Sequence, residues 1–204
     1  MQHRATLAWL RTSACLVIAA LAQGCVTDEG IRCALTDVNR EFKDQYERIL
    51  AEKGTRAFAV RPAEAFAGTR AALFSLGMRL ESQNLELGLM SLAAPAPTPL
   101  SLQEWKVAAD ADLPMMQRLA ARCVGLPAYL FEFEPQGLEI VINATVVPAA
   151  GGSEIALTMR MREVKPPPSG MPRREYAPPT GVRMGLDKIW GQVERELGVR
   201  ARSL

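Results

Sequence analysis

The feature that most constrains the fold is a pair of long alternating segments in the C-terminal half. Every second residue is apolar from Leu138 to Val146, and the alternation resumes from Ile155 to Met161 after a turn that contains Gly151-Gly152. A period of two places successive side chains on opposite faces of a strand. The two segments therefore predict an antiparallel hairpin with one apolar face, which another element has to cover.

The element best suited to cover this face is a helix at the C-terminal end. Apolar residues recur at steps of three and four between Val182 and Leu197, and Gly198 follows as a helix stop. Residues 165–179, just before this helix, contain six prolines and predict an extended loop. The loop is either a rigid connector or a recognition segment for a partner.

An aromatic alternation before the hairpin predicts a third strand. Tyr129, Phe131 and Phe133 alternate with Leu130, Glu132 and Glu134, and residues 135–137 supply a turn. We therefore expect a three-stranded C-terminal meander.

The N-terminal half predicts more helices and weaker strands. The expected elements are an amphipathic helix over residues 35–54, a strand at 57–60, a helix opened by Pro62, and strands at 78–81 and 85–92 that turn at Gln83-Asn84. Ser101 and Glu104 have capping-box spacing and start a further helix. Asp112 is expected to cap a turn, and a second helical segment is expected after that turn.

Together these elements predict an α+β fold. We expect a single domain over residues 55–198, with an antiparallel sheet and helices packed on one face, and a tail of residues 199–204. In element order alone, this arrangement resembles the helix-grip domains of lipoproteins in the outer-membrane barrel-assembly machinery.

The first 25 residues are organised differently from the rest. Arg4 and Arg11 precede a short apolar run that ends in Leu21-Ala22-Gln23-Gly24-Cys25, and no acidic residue occurs before Asp28. This segment resembles the signal peptide and lipobox of bacterial lipoprotein precursors. The uncharged stretch of residues 12–27 is shorter than the roughly 20 residues that a spanning helix needs.

The resemblance implies a processed, acylated protein. Residues 1–24 would be removed, and Cys25 would carry a diacylglycerol and an N-acyl chain at the start of a tether over residues 25–34. Val26 stands where an aspartate would retain a lipoprotein at the inner membrane. The implied location is the periplasmic leaflet of the outer membrane, where two or more acyl chains anchor a protein stably.

Composition excludes several function classes for such a mature chain. The only histidine is His3, so residues 25–204 cannot form a Ser-His-Asp set, an HExxH zinc site or a histidine general base. Arg4 and Arg11 account for the whole net charge of +2, so no basic field indicates nucleic acid. We therefore expect a non-enzyme without a cofactor apart from its covalent lipid. Cys33 and Cys123 remain after processing, either as a disulfide or as two separate thiols.

Two charged sets are candidate sites. In the predicted meander, Glu132 lies opposite Glu139 with Arg162 beyond it, and two carboxylates about 5 Å apart suit a retaining glycosidase. The second set could bind an anion or a partner and consists of Arg160, Arg162, Arg173, Arg174 and Arg183. The alternative is that these arginines are ordinary surface residues paired with Glu139, Glu163 and Glu175.

Three functions follow from these observations. The first is a non-enzymatic binding or scaffold module of the cell envelope that contacts a protein, glycan or lipid. The others are a cell-wall glycan hydrolase that uses Glu132 and Glu139, and a carrier that holds an acyl chain between the last helix and the sheet. A cavity of several hundred Å³ at that interface would favour the carrier.

Replacing Cys25 with Ser should abolish acylation, because the thiol is the only group that can form the thioether. Labelling of cells with a radioactive fatty acid measures the effect. Label that persists in Cys25→Ser would contradict the assignment of the lipobox.

Overall fold

The computed structural model describes residues 26–130, 132–199 and 201, so the predicted signal peptide and Cys25 lie outside the described residues. The helices in this part are α1 (Asp28–Lys53), α2 (Pro62–Ser75), α3 (Leu102–Val124) and α4 (Pro179–Leu197), with a 3-10 helix at Leu126–Leu130. The strands are β1 (Thr55–Phe58), β2 (Arg79–Asn84), β3 (Leu89–Pro95), β4 (Leu138–Ala149) and β5 (Gly152–Glu163). The predicted α+β class, with helices packed against an antiparallel sheet, is confirmed.

The five strands form one antiparallel sheet in the order β1-β5-β4-β3-β2. The predicted hairpin is its centre, since β4 and β5 pair over their full length from Leu138 opposite Glu163 to Ala149 opposite Gly152. Strand β3 pairs with the other edge of β4. The expected polar and apolar faces are observed, because burial alternates along both strands.

The inner face of the sheet packs against α2 and α4. Ile142, Leu157, Ile189 and Trp190 are all completely buried at the centre of this core. Helix α4 comes close to β5 at Gly185, where an added Cβ would lie 2.6 Å from the Met159 sulfur. The last helix therefore covers the hairpin, as its apolar stripe predicts.

Strand β1 pairs with only part of the outer edge of β5, and other segments cover more of that edge. The N–H of Leu157 donates to the carbonyl of Gly54, and the N–H of Met161 donates to the carbonyl of Glu175 in the proline-rich loop. Tyr46 of α1 lies between them, where burial raises the pKa of its hydroxyl and the charge of Arg160 opposes that rise. These contacts protect an edge that would otherwise be open to pairing with another chain.

The predicted strand over residues 129–134 is wrong. Residues 126–130 form the 3-10 helix, and the segment from Glu132 to Pro135 is an extended linker outside the sheet. Strand β4 has no free edge for this segment, because β3 and β5 occupy both sides. Phe133 packs instead between Phe42 and Trp105, with ring centroids 6.0 and 5.8 Å apart.

Within the predicted tether of residues 25–34, the chain is helical from Asp28 onward, because α1 begins there rather than at residue 35. The Thr27 hydroxyl accepts a hydrogen bond from the N–H of Gly30 as an N-cap. Asp28 and Glu29 then place negative charge in the first turn, where the helix dipole favours it.

Asp112 does not end a helix. Helix α3 is continuous through Asp112 and Pro114. The buried carboxylate of Asp112 accepts hydrogen bonds from the N–H and the hydroxyl of Thr180. Burial raises the pKa of Asp112, and these two hydrogen bonds oppose the rise. Asp112 therefore caps the first turn of α4 from a neighbouring helix, a contact that local sequence patterns do not contain.

Strand β1 and the β2–β3 turn lie a few residues away from their predicted positions. Strand β1 is shifted by two residues towards the N-terminus, and β2 continues through Asn84, so the turn covers residues 85–88. The Asn84 side chain accepts a hydrogen bond from the N–H of Leu87 and closes the turn. By contrast, the capping box of Ser101 and Glu104 is confirmed.

A disulfide joins Cys33 of α1 to Cys123 of α3, with Cα atoms 5.8 Å apart. The two cysteines are 90 residues apart in sequence, and on the chain-entropy model closing a loop of that length stabilises the folded state by roughly 4 to 5 kcal/mol.

The double variant Cys33→Ser, Cys123→Ser should therefore lower the free energy of unfolding by about that amount in urea titrations. Equal stability of the oxidised parent and the double variant would contradict this role.

The pH dependence of folding should include a contribution from Glu104. The pKa of its carboxyl is lowered from 4.5 to about 2, first by the hydrogen bond from Lys188 and next by the N–H of Ser101. The ionised form favours folding, so this contribution is complete above pH 4.5 and is lost as pH falls to about 2. The side chain is solvent-exposed, which limits the effect to about 1 kcal/mol.

The variant Glu104→Gln isolates this effect, because glutamine can retain the capping box. Urea titrations between pH 5 and the acid limit of folding should show a flatter dependence than in the parent. The control is Glu86→Gln, because Glu86 is exposed and has no ion pair within the described part of the chain, and it should follow the parent curve. Parallel curves for Glu104→Gln and the parent would contradict the assignment.

Candidate arginine groove on the outer face of the sheet

A surface groove in the described residues lies between β5 and the proline-rich loop. It encloses about 480 Å³, and four arginines line it. Arg160 and Arg162 come from β5, where alternation directs them away from the core, and Arg173 and Arg174 come from the loop. We call this site the arginine groove. It unites four of the five arginines that the sequence singles out.

Two of these arginines pair with glutamates inside the groove. Arg160 donates to Glu175 at 2.8 Å, and its guanidinium lies 4.3 Å from the ring centroid of Tyr176. Arg174 donates from Nε to Glu163, also at 2.8 Å. The ion pairing that the surface interpretation expects is therefore present.

Arg162 is held between two carboxylates on the outer face. It contacts Glu139, its register partner on β4, and Glu81 on β2. Hydrogen bonds to Glu81 and then to Glu139 raise the pKa of Arg162 further, so its charge is permanent. Glu81, which no sequence pattern marks as a partner of Arg162, lies at a register shift between Leu80 and Ser82. Strand alternation alone does not reveal such a shift.

Arg173 differs from the other three arginines. Its side chain is exposed and makes no ion pair or hydrogen bond within the described residues, while its carbonyl accepts a hydrogen bond from the Asn39 amide at 2.7 Å. The backbone is thus held against α1 while the guanidinium stays available. Nearby, the second carboxylate oxygen of Glu163, Oε2, is buried and has no hydrogen-bond partner among residues 26–130, 132–199 and 201.

This arrangement suits recognition of an anionic group. Arg173 offers an uncommitted guanidinium, and Arg174 donates to Glu163 only through Nε, which leaves its two terminal nitrogens. Planar guanidinium forks bind carboxylates and phosphates in a bidentate manner. The glutamates neutralise most of the positive charge, so the groove favours a ligand with specific geometry over a general polyanion.

Glu132 and Glu139 do not form the predicted pair. Residue 139 lies opposite Pro95 of β3, and Glu132 lies in the linker beside α1 and α3. The pairing was wrong because the meander on which it depended does not form. Two carboxylates do approach the same arginine on this face, but they are Glu81 and Glu139.

Arg183 lies apart from the arginine groove. It donates to Glu52 of α1 at 2.8 Å, and this hydrogen bond lowers the pKa of the Glu52 carboxyl. Its position in the first turns of α4 directs it towards α1 and away from the outer face of the sheet. The predicted five-arginine set is therefore a set of four.

The interface between the last helix and the sheet is filled by side chains. The apolar residues of α4 and of the inner sheet face form one buried cluster. An apolar surface groove of about 210 Å³ lies elsewhere, between α1 and α3, where Leu35, Phe42 and Met116 line it. Among the described residues, packed side chains therefore occupy the position expected for a carrier.

One group of three potential metal ligands occurs among the described residues. It consists of Cys33, Asp37 and Cys123. The two sulfurs are bonded to each other and Asp37 pairs with Arg40, so the donors are already engaged. This group is a structural crosslink in the oxidised protein.

Comparisons with known protein families, characterised proteins and solved structures gave no match. No helix among the described residues has the length and apolar character needed to cross a membrane.

The two loop arginines should differ in their effect on stability. Arg173→Ala should change the free energy of unfolding by less than about 0.5 kcal/mol, because the side chain is exposed and unpaired. Arg174→Ala should cost about 1 to 3 kcal/mol, because it leaves the nearly buried Glu163 carboxylate without its partner.

Urea titrations of the two variants measure this difference. Adding Glu163→Gln to Arg174→Ala should recover part of the loss, since a neutral amide tolerates burial better than an unpaired charge. Equal stabilities for Arg173→Ala and Arg174→Ala would contradict the proposed division of roles.

Proposed function

We propose that the chain is a lipid-anchored protein of the cell envelope that works by binding a partner rather than by catalysis. In this proposal Cys25 carries the acyl chains and attaches the domain to the periplasmic leaflet of the outer membrane. The arginine groove is the binding site. The partner presents a carboxylate or phosphate, as an acidic protein segment, a glycan or a lipid headgroup can.

The observation that supports this proposal is the convergence of Arg160, Arg162, Arg173 and Arg174 on one groove. Two of the four come from the proline-rich loop that follows β5, and that loop is fixed to the sheet edge through the carbonyl of Glu175. Arginines that serve only solubility have no need to gather around a concave surface. Arg173 in particular has no structural partner within the described residues.

The other two functions have less support. A hydrolase built on Glu132 and Glu139 has lost the geometry on which it depended. A carrier would need space between α4 and the sheet, where buried side chains are packed. The apolar groove between α1 and α3 is another candidate for an acyl chain, but its volume of about 210 Å³ is below the usual range for small-molecule pockets.

Site-specific photo-crosslinking in the envelope tests the binding site. Pro166 is exposed and lines the arginine groove, so a benzoyl-phenylalanine in its place should form a discrete adduct on irradiation. Arg173→Glu should reduce the adduct about tenfold or more, because one charge-assisted hydrogen bond contributes roughly 1.5 to 3 kcal/mol.

The matched control is Arg79→Glu, which reverses an exposed arginine on β2 that is outside the groove. It should leave the adduct unchanged. An adduct that is insensitive to Arg173→Glu, or one that Arg79→Glu reduces equally, would contradict the assignment of the arginine groove as the binding site.

A further inference from the structure

The 3-10 helix of residues 126–130 has an inverted pattern of burial. Its smallest side chain, Ala128, is completely buried, while Leu126 and Leu130 are each 83% exposed and Tyr129 is 56% exposed. Ala128 packs against Ala34 of α1 and Ala120 of α3, so the turn is fixed with its large apolar side chains outward. Clustered exposed side chains of this kind mark a contact surface.

This exposed turn lies beside the point where the described chain begins. An added Cβ at Gly30 would lie 3.0 Å from a Val124 methyl group and 3.2 Å from the carbonyl of Cys123, so the first turn of α1 touches the last turn of α3. The disulfide between Cys33 and Cys123 fixes these two helix ends together. Val26, which is also exposed, precedes this junction by one helical turn.

The early start of α1 leaves little chain between the domain and Cys25. Only Val26 and Thr27 separate that cysteine from the first helical residue, Asp28. The three Cα–Cα steps from Cys25 to Asp28 span at most about 11 Å. An acylated Cys25 would therefore hold this end of the domain close to the headgroup region, into which an apolar face inserts by about 5 to 10 Å.

We propose that Leu126, Tyr129 and Leu130 insert into the same leaflet that holds the lipid anchor and so fix the orientation of the domain on the membrane. This inference rests on the proposed acylation of Cys25. The occupant of the patch is the bilayer. A tyrosine beside two leucines suits the interface, where an aromatic ring with a polar end is favoured.

The contact is apolar rather than electrostatic. Arg32, Arg118 and Arg122 are exposed near this end of the domain, and the exposed Asp28 and Glu29 offset two of these three charges. The insertion should therefore occur in neutral lipid, without anionic headgroups. This separates it from the arginine groove, where binding depends on charge.

Tryptophan fluorescence in vesicles with brominated acyl chains tests the inference. The reporter is Tyr129→Trp in the full-length precursor, processed in a bacterial host and reconstituted in phosphatidylcholine. The control is Leu87→Trp, because Leu87 is similarly exposed but lies in the β2–β3 turn, whose Gly88 contacts Val146. Val146 is about 26 Å along β4 from Leu138, where the linker from the 3-10 helix enters the sheet.

Trp105 and Trp190 are buried in the parent protein, and its emission is subtracted. We expect brominated lipid to remove most of the emission added by Tyr129→Trp and little of that added by Leu87→Trp. Leu130→Trp serves as a second reporter and should behave like Tyr129→Trp. Quenching at neither end, at Leu87→Trp alone, or equally at both ends would overturn the orientation.

The intact mass of the same samples separates this inference from the proposed function. Acylated protein without quenching of the Tyr129→Trp and Leu130→Trp reporters overturns the membrane contact and leaves the anchor in place. Protein without acyl chains overturns the anchor and the membrane contact together.

Discussion

The structure depends on covering one apolar sheet face. Strands β4 and β5 present a row of side chains that water would surround in an isolated hairpin, and α4 buries that row with its own apolar stripe. Helix α4 can cover this face only because the proline-rich loop carries the chain from the end of β5 to the start of α4. The loop crosses the outer face and the sheet edge on this route, which brings Arg173 and Arg174 beside Arg160 and Arg162. The candidate site is thus a consequence of how the core is closed.

Regular periodicity predicted the elements whose structure depends on the spacing of their own residues. The β4–β5 hairpin, the helix opened by Pro62, the capping box of α3 and the stripe of α4 all follow from spacing along the chain. Residues 129–134 show where that reasoning ends. They alternate as a strand would, but the predicted pairing with β4 needs a free edge of β4, and β3 and β5 occupy both of its edges. Which of two distant segments pairs with one strand edge cannot be predicted from either segment alone.

The candidate site was predictable only in part, for the same reason. Alternation on β5 places Arg160 and Arg162 on the outer face, and composition marks the loop arginines as a basic cluster. Their common groove depends on contacts between distant segments, such as the N–H of Met161 with the carbonyl of Glu175. Glu81, which contacts Arg162, lies at a register shift in β2 that alternation along the strand does not predict. Asp112 likewise caps α4 from another helix, and no local sequence motif predicts such a contact.

The early start of α1 links the fold to the proposed location at the membrane, since almost no chain remains between the domain and Cys25. The most direct measurement of the central claim is the intact mass of the protein extracted from envelope membranes. The account predicts a chain that begins at Cys25 and carries a diacylglycerol and one further acyl chain. An unmodified chain that still begins at Met1 would contradict it.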